Sequence, residues 1–426
     1  MVSSLPFRTV QADSSRRSEI LETAAAMIAS SGVRTSLHQI AEACGILPGS
    51  LYHHFESKEA IVDELVHRYL DELDRVAEHA LDRLREPVAR PTEERVVEFG
   101  QSIADCAVRH RAALLLTLYE PPTASSEVLA RLARQKPRAI DAAMLEILRA
   151  GEVAGAIRSG VDLVLLAERI CQSMLHTGVG VYHRTPRARA VPALRCQVLL
   201  DGLAARAPAD AVLDRSEAMS AARRVVAGWD EQADENERVA RFRNAARAVF
   251  GHRGFEAATM RDVAAAAGVS TGSVYRLYPS KDDLLLSIMQ RYIANVSALW
   301  DAVMASASPP VEKLDALMWG NVKVVDRFSE EFRIQLAWLR QSPPTTTDLG
   351  SSFGRQVRQM EALLADAQAA GQLCADPAPL DVWVRSVIEL VWIPETIVRP
   401  AGVVAAHRLM RETVLRGAAT SPNATG

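Results

Sequence analysis

The chain is poor in aromatic residues: Phe, Trp and Tyr make up 5% of its 426 residues. Alanine and leucine dominate instead, which suits helix packing better than sheets. Its five cysteines, Cys44, Cys106, Cys171, Cys196 and Cys374, lie far apart. They form no CxxC pair and no metal spacing, and the odd count argues against a disulfide framework. They read as small apolar residues in helices. No uncharged stretch is long enough to span a bilayer, and the start, MVSSLPFRTVQADSSRRS, lacks the apolar run of a signal peptide. A cytoplasmic protein with no membrane partner is expected. The formal charge of −3 excludes a basic nucleic-acid coat, so any DNA binding must come from local surfaces. There is no Gly-rich phosphate loop, no Ser/His/Asp arrangement and no HExxH element. Neither an enzyme nor a cofactor is expected.

What the chain has is one block written twice. GSLYHHFESKEAI runs from Gly49 to Ile61, and GSVYRLYPSKDDL from Gly272 to Leu284. The frame extends upstream, where Ile40-Ala41 answers Val263-Ala264 and Gly45 answers Gly268. Each copy should be one folding unit, and the length also favours more than one domain.

Helical spacing predicts a helix from near Ser15 to Ser30, after a loose arm over residues 1–15. Ser36 caps a helix over 37–44 that Gly45 ends, Pro48 opens a short one over 48–54, and Ser57 caps a long one to about Arg85. Further helices are expected at 92–110, 112–119, 125–151, 161–180 and 189–205. Residues 207–234 read as a partly helical linker packed through Val226 and Trp229. The second copy repeats the plan with helices at 235–252, 260–267, 271–277 and 281–305, and helical chain to about Arg416. The closing AATSPNATG reads as disordered.

A helix capped by Ser or Thr, a glycine turn, and a short helix with small and polar residues make a helix-turn-helix. The second helix enters the major groove with its N-terminal residues at the base edges. Gly49, Ser50, Gly272 and Ser273 let the backbone approach closely. Tyr52 and Tyr275 suit phosphate oxygens, as do Lys58 and Lys281 at the next helix start. His53 and His54 are adjacent, point to different faces and have no third ligand near, so no metal site is expected there.

IAEACGILPGSLYHHFESKEAI and VAAAAGVSTGSVYRLYPSKDDL both resemble the signature of TetR-type transcriptional repressors. The resemblance covers about 45 residues per copy. It implies an all-α fold of two tandem modules: a first DNA head over 16–60 with a helical domain over 61–206, the linker over 207–234, then a second head over 235–283 with a helical domain over 284–418. It implies phosphate contacts from Ser36, Thr259, Tyr52, Tyr275, Lys58 and Lys281. Base-facing positions fall on Pro48, Ser50 and His53 in one head, and on Thr271, Ser273 and Arg276 in the other. Leu47 departs from the pattern where the second copy has Ser270, and the first copy is one residue short before Ser36.

Partners implied are double-stranded operator DNA and a small apolar or acyl-CoA-like effector. LPGSLYHHFESKEA looks most like repressors of steroid and fatty-acyl catabolism. His110, Tyr119, His176, Trp319, Arg333 and Trp338 are candidate effector anchors, beside Arg109, Arg111, Tyr182 and Arg340. The modules pair either within one chain, as a pseudodimer, or in a homodimer. The alternative is a protein-interaction scaffold with one or both heads inactive; both heads keep Tyr, Lys and a polar reading face, which favours DNA.

Overall fold

The computed structural model describes residues 7–31, 35–86, 90–117, 135–178, 189–231, 237–253, 258–341, 347–374 and 379–420, together with Glu127, Arg131, Leu132 and Phe255. Among these the chain is helical throughout, and the extended pairing is limited to two isolated bridges. The first head comprises α1 (Phe7–Ser31), α2 (Leu37–Ala43) and α3 (Pro48–His54). Helix α1 starts well before Ser15, which corrects the expected arm: no glycine or proline interrupts residues 7–31. Ile20, Leu21, Ala24 and Ile28 form its buried stripe against Ile40, Leu51 and Phe55.

Helix α4 (Lys58–Arg85) leaves the head and enters the helical domain without a break. At 1.5 Å per residue its 28 residues reach about 42 Å, so one rigid rod belongs to both parts. On it pack α5 (Thr92–Arg109), α6 (Arg111–Thr117) and α7 (Arg138–Val153), and α8 (Leu163–Thr177) and α9 (Val191–Asp201) pack in turn on α5. Residues 207–234 hold α10 (Asp210–Leu213) and α11 (Glu217–Glu231), and α11 packs on the second helical domain. Its buried face is Ala218, Met219, Ala222 and Trp229, with the Trp229 ring edge-on to Phe328, while Val226 is half-buried. An alanine-rich face lets helices approach closely, so the stretch belongs to a core.

The second copy has α12 (Glu237–Arg253), α13 (Met260–Ala267) and α14 (Thr271–Tyr275) as its head. Its helical domain has α15 (Lys281–Met304), α16 (Pro310–Arg327), α17 (Ser329–Gln341), α18 (Thr347–Ala369), α19 (Leu380–Leu390) and α20 (Glu395–Met410), which ends in a π-turn over Arg411–Leu415.

The two helical domains meet through α8 and α9 of the first and α19 and α20 of the second. At the centre Gly202 and Gly417 cross. Leu203 and Ala204 donate to Val414 O and Leu415 O at 2.8 and 3.0 Å, and Ala418 and Ala419 donate to Leu199 O and Leu200 O at 3.0 and 2.7 Å. The quartet maps onto itself when the copies are exchanged. So does the next layer: Arg158 and Cys374 donate to Ala418 O and Leu203 O, and Thr420 and Ala205 donate to Ala156 O and Gln372 O. The expected disorder of the tail is therefore corrected for residues 418–420, whose backbone groups are spent in this crossing.

Charged groups flank the crossing. Arg169, buried in α8, donates to Leu390 O at 2.7 Å and to Trp392 O. Arg195, fully buried in α9, lies 2.5 Å from the Glu389 carboxylate. Burial, then the neighbouring Arg195, pulls the Arg169 guanidinium down to about 9. On the other side Asp315 is buried between His407 (2.9 Å) and Arg411 (2.8 and 2.7 Å), and Arg411 also reaches Asp214 before α11. Burial opposes ionisation of Asp315, yet the hydrogen bonds from Arg411 and His407 hold its carboxyl below the usual range.

A methyl group on Gly202 would lie 2.5 Å from Gly417 N, and one on Gly417 would lie 2.3 Å from Asp201 C. Both residues also have φ near +75° (79° and 74°). Gly202→Ala or Gly417→Ala is expected to cost roughly 3 kcal/mol or more, from strain and overpacking together. Gly45→Ala (φ 65°), whose added methyl meets nothing within 4 Å, should cost only about 1–2 kcal/mol. Urea unfolding of the three variants checks the order; equal losses would show that the crossing is not tight.

Candidate nucleic-acid interface

Both heads use the same local devices. Ser36 Oγ accepts from Gln39 N at 3.2 Å while Gln39 Oε1 accepts from Ser36 N at 2.8 Å. Thr259 and Asp262 make the same reciprocal pair at 3.2 and 2.9 Å. Such a capping box satisfies two orphan donors, and its N-cap side chain contributes about 1 kcal/mol. Gly45 and Gly268 then turn the chain at φ 65° and 68°, a left-handed conformation that suits glycine.

The turn brings α3 and α14 to the surface. Leu51 and Val274 are fully buried and fix each short helix to its head. One residue on, Tyr52 and Tyr275 are 55% and 50% exposed, too open to be core residues. Beside them His53 and Arg276 are exposed. Ser50, Gly49 and Gly272 are exposed too, while Pro48, Thr271 and Ser273 are half-buried. Space beyond Gly49 and Gly272 is open to at least 4 Å, so a backbone could approach.

The faces differ. Leu47 is 77% exposed and gives the N-cap of α3 no side-chain bond. In the second head Ser270 and Ser273 join their hydroxyls at 3.0 Å. Charge differs as well: residues 237–283 carry eight Lys and Arg against five Asp and Glu, whereas residues 16–60 carry four against five.

Lys281 holds its own fold together. Its ammonium donates to Phe255 O at 2.8 Å and Ala258 O at 3.1 Å and lies 4.3 Å from the centre of the Phe255 ring. It ties the segment between α12 and α13 to the start of α15. Lys58 is half-buried, and that burial lowers its pKa, with Glu59 acting in the opposite direction. The hydroxyls of Ser36 and Thr259 are engaged in their capping boxes. Of the phosphate candidates, Ser36, Thr259 and the two tyrosines are exposed, while both lysines are half-buried.

Sequence reasoning missed Arg17, which donates to His54 O, pairs with Glu64 and lies 4.1 Å over the Phe55 ring. It locks α1, α3 and α4 together; only its position on the stripe's polar edge could have hinted at it.

Among the described residues the effector candidates do not form one site. His110 Nε2 lies 2.7 Å from Glu72 Oε2, and Arg109 holds the other oxygen of that carboxylate. Arg111 donates to Ala29 O at 3.4 Å, toward the end of α1. His176 is half-buried near the end of α8. Trp319 is half-buried on α16, with the Arg223 guanidinium 6.0 Å over its ring. Arg333 is paired with Glu395 at 2.8 and 2.9 Å. Trp338 and Arg340 belong to α17, but their side chains, like Tyr119 and Tyr182, lie outside the described residues.

The model of the bacterial regulatory proteins of the tetR family matches residues 20–65 and 242–288. The HTH-type transcriptional repressor KstR2 of Mycobacterium tuberculosis is 51% identical over 77 residues, 18% of this chain and 38% of that protein. The chain thus spans well under half the length of the first curated relatives it matches. Its likeness to KstR2 of Mycolicibacterium smegmatis reaches further: 33% identity over 159 residues, 36% of this chain and 72% of the relative. The probable acrEF/envCD operon repressor of Escherichia coli K12 is 30% identical over 149 residues, 34% and 67% of the two chains. Two exposed short helices on one duplicated helical frame, with these matches, make the chain a member of the TetR family that carries the family's helix-turn-helix twice.

Proposed function

We propose that the protein is a transcriptional repressor that places two unlike heads on one operator, and that a small apolar or acyl-CoA-like effector releases it. The observation that carries this reading is the pair of exposed tyrosines beside open helix N-termini in both heads. The curated relatives named as repressors support it. Arg276 is the strongest base reader, since a guanidinium can take guanine with two hydrogen bonds. Tyr275→Phe should weaken binding to all sequences alike. Arg276→Ala should lose about 1–3 kcal/mol at one base pair. Lys281→Ala should also loosen the second head, because Phe255 O and Ala258 O lose their donor. Selection from random DNA at several salt concentrations tests this; an unchanged preference in Arg276→Ala removes it from the reading face. A flat salt response, or loss of both heads without effect, would favour a scaffold role.

The pairing within one chain supports a monomeric pseudodimer. Its charges are heterotypic: Arg158, Arg169 and Arg195 come from the first module, Glu389 and Glu412 from the second. Counting from the helix starts at Leu163 and Leu380, Gln172 holds the place of Glu389 and Ser386 that of Arg169. Two first modules would therefore bury arginines without the carboxylate, a costly arrangement. The tether adds an effective concentration of about millimolar. Light scattering should give the mass of one chain, and footprinting an asymmetric site with half-sites about one helical turn apart or a little more. A dimeric mass over a perfect palindrome would overturn the pseudodimer.

The effector reading rests on the likeness of LPGSLYHHFESKEA to repressors of steroid and fatty-acyl catabolism. Acyl-CoA and steroid-CoA thioesters should raise the melting temperature and release DNA. Stabilisation without release would contradict induction.

A further inference from the structure

One polar cluster in the first helical domain lies outside both reading faces. Glu72 of α4, Cys106 of α5 and His110 at the end of α5 bring one carboxylate oxygen, one sulfur and one ring nitrogen within 4.8 Å of one another. Cys106 and His110 stand four residues apart, on one face of the helix, and Glu72 meets them from the facing helix. The thiol is fully buried, while Glu72 and His110 are 22% and 21% exposed, so the cluster opens to solvent over its charged edge.

The repeat supplies an internal control. Counting from the starts of α4 and α15, and of α5 and α16, the same three places in the second copy hold Asn295, Val324 and Phe328. The register is confirmed by the rings: Tyr69 and His110 have centroids 6.0 Å apart, and so do Tyr292 and Phe328. The same fold at this point therefore accommodates an amide, a methyl-bearing side chain and a phenyl ring, although the Asn295 amide nitrogen is buried without a hydrogen-bond partner. It does not need a carboxylate, a thiol and an imidazole, and the first copy alone assembles that set.

We propose that Glu72, Cys106 and His110 form a zinc site, with water as the fourth ligand. A mixed O, S and N set suits Zn²⁺ and not the hard cations Mg²⁺ or Ca²⁺, which take oxygen. Carboxylate and thiolate together balance the two positive charges, and the thiol proton passes to solvent. Zinc bonds of about 2.0–2.3 Å in a tetrahedron place ligand atoms about 3.3–3.8 Å apart. The 2.7 Å contact between His110 Nε2 and Glu72 Oε2 must open by roughly an ångström, and the cation enters between them. Arg109 keeps its bond to the other oxygen, Glu72 Oε1, and orients the carboxylate from outside the ligand set.

The location gives such a cation leverage. His110 ends α5, Arg111 opens α6, and Arg111 donates to Ala29 O in α1 of the first head. Helix α6 packs on both α1 and α4. Drawing His110 toward the cation moves a segment that touches helical domain and head alike. This consequence rests on the repressor reading; the binding itself does not.

The test is a Co²⁺ titration of the full chain after treatment with chelator, followed by competition with Zn²⁺. One cobalt per chain is expected, with a thiolate-to-cobalt charge-transfer band and the visible bands of a tetrahedral site, both erased by zinc and untouched by Mg²⁺. Cys106→Val and His110→Phe install the residues that the second copy uses at these places, so they should fold. Each should weaken binding by on the order of tenfold or more, and Cys106→Val should abolish the charge-transfer band. No band in the unaltered protein, or a band of equal strength in Cys106→Val, which would assign it to another cysteine, overturns the site. DNA release measured with zinc in the same samples reports on the regulator reading separately.

Discussion

The crossing of Gly202 over Gly417 is the constraint on which the rest of the molecule depends. Two backbones pass so closely there that neither has room for a side chain, and each copy donates two amides to the other. Buried amides and carbonyls must be paired, so the four bonds oblige the two closing helical pairs to adopt one mutual orientation. Everything distal follows as rigid geometry. The domains are set by the crossing, α4 and α15 are set by the domains, and each of these long helices carries a head at its first turn.

On this nearly two-fold frame the chain has placed unlike chemistry. At the interface the first module supplies arginines and the second carboxylates and carbonyls. At the surface one reading helix offers Leu47 and His53, the other Ser270 and Arg276. In the helical domains one copy gathers Glu72, Cys106 and His110, where the other packs Val324 and Phe328. A homodimer cannot differ between its halves. A fused pair can, and the symmetric backbone contacts leave side chains free to diverge wherever they are not at the crossing itself.

The path from helical domain to head is short in both copies. Helix α4 is continuous between them, Arg17 fastens it to α1 and α3, and α6 leans on α1 through Arg111. In the second copy Lys281 performs the fastening at the helix start, reaching back to Phe255 O and Ala258 O.

The two copies and most of their helices are legible in the sequence because they follow from local rules. Period, cap, glycine turn and the alternation of Leu51 with Tyr52, or Val274 with Tyr275, are fixed by residues within one or two turns of each other. The arm and the tail differ from expectation because polarity alone reads as looseness there, whereas the helix over Glu217–Glu231 packs through Trp229 as its pattern predicts, with Val226 half-buried. Helix α11 earns its order from Trp229 meeting Phe328, and residues 418–420 from carbonyls over two hundred positions away. The sequence offers Lys281 as a phosphate contact and does not show that Phe255 O and Ala258 O, more than twenty positions earlier, already take its protons. Only the tertiary structure could decide which distant groups share a space, and hence the crossing, the heterotypic arginines and the cluster at Glu72. Chain-distant contacts depend on how whole helices pack, and no short window of sequence contains that information.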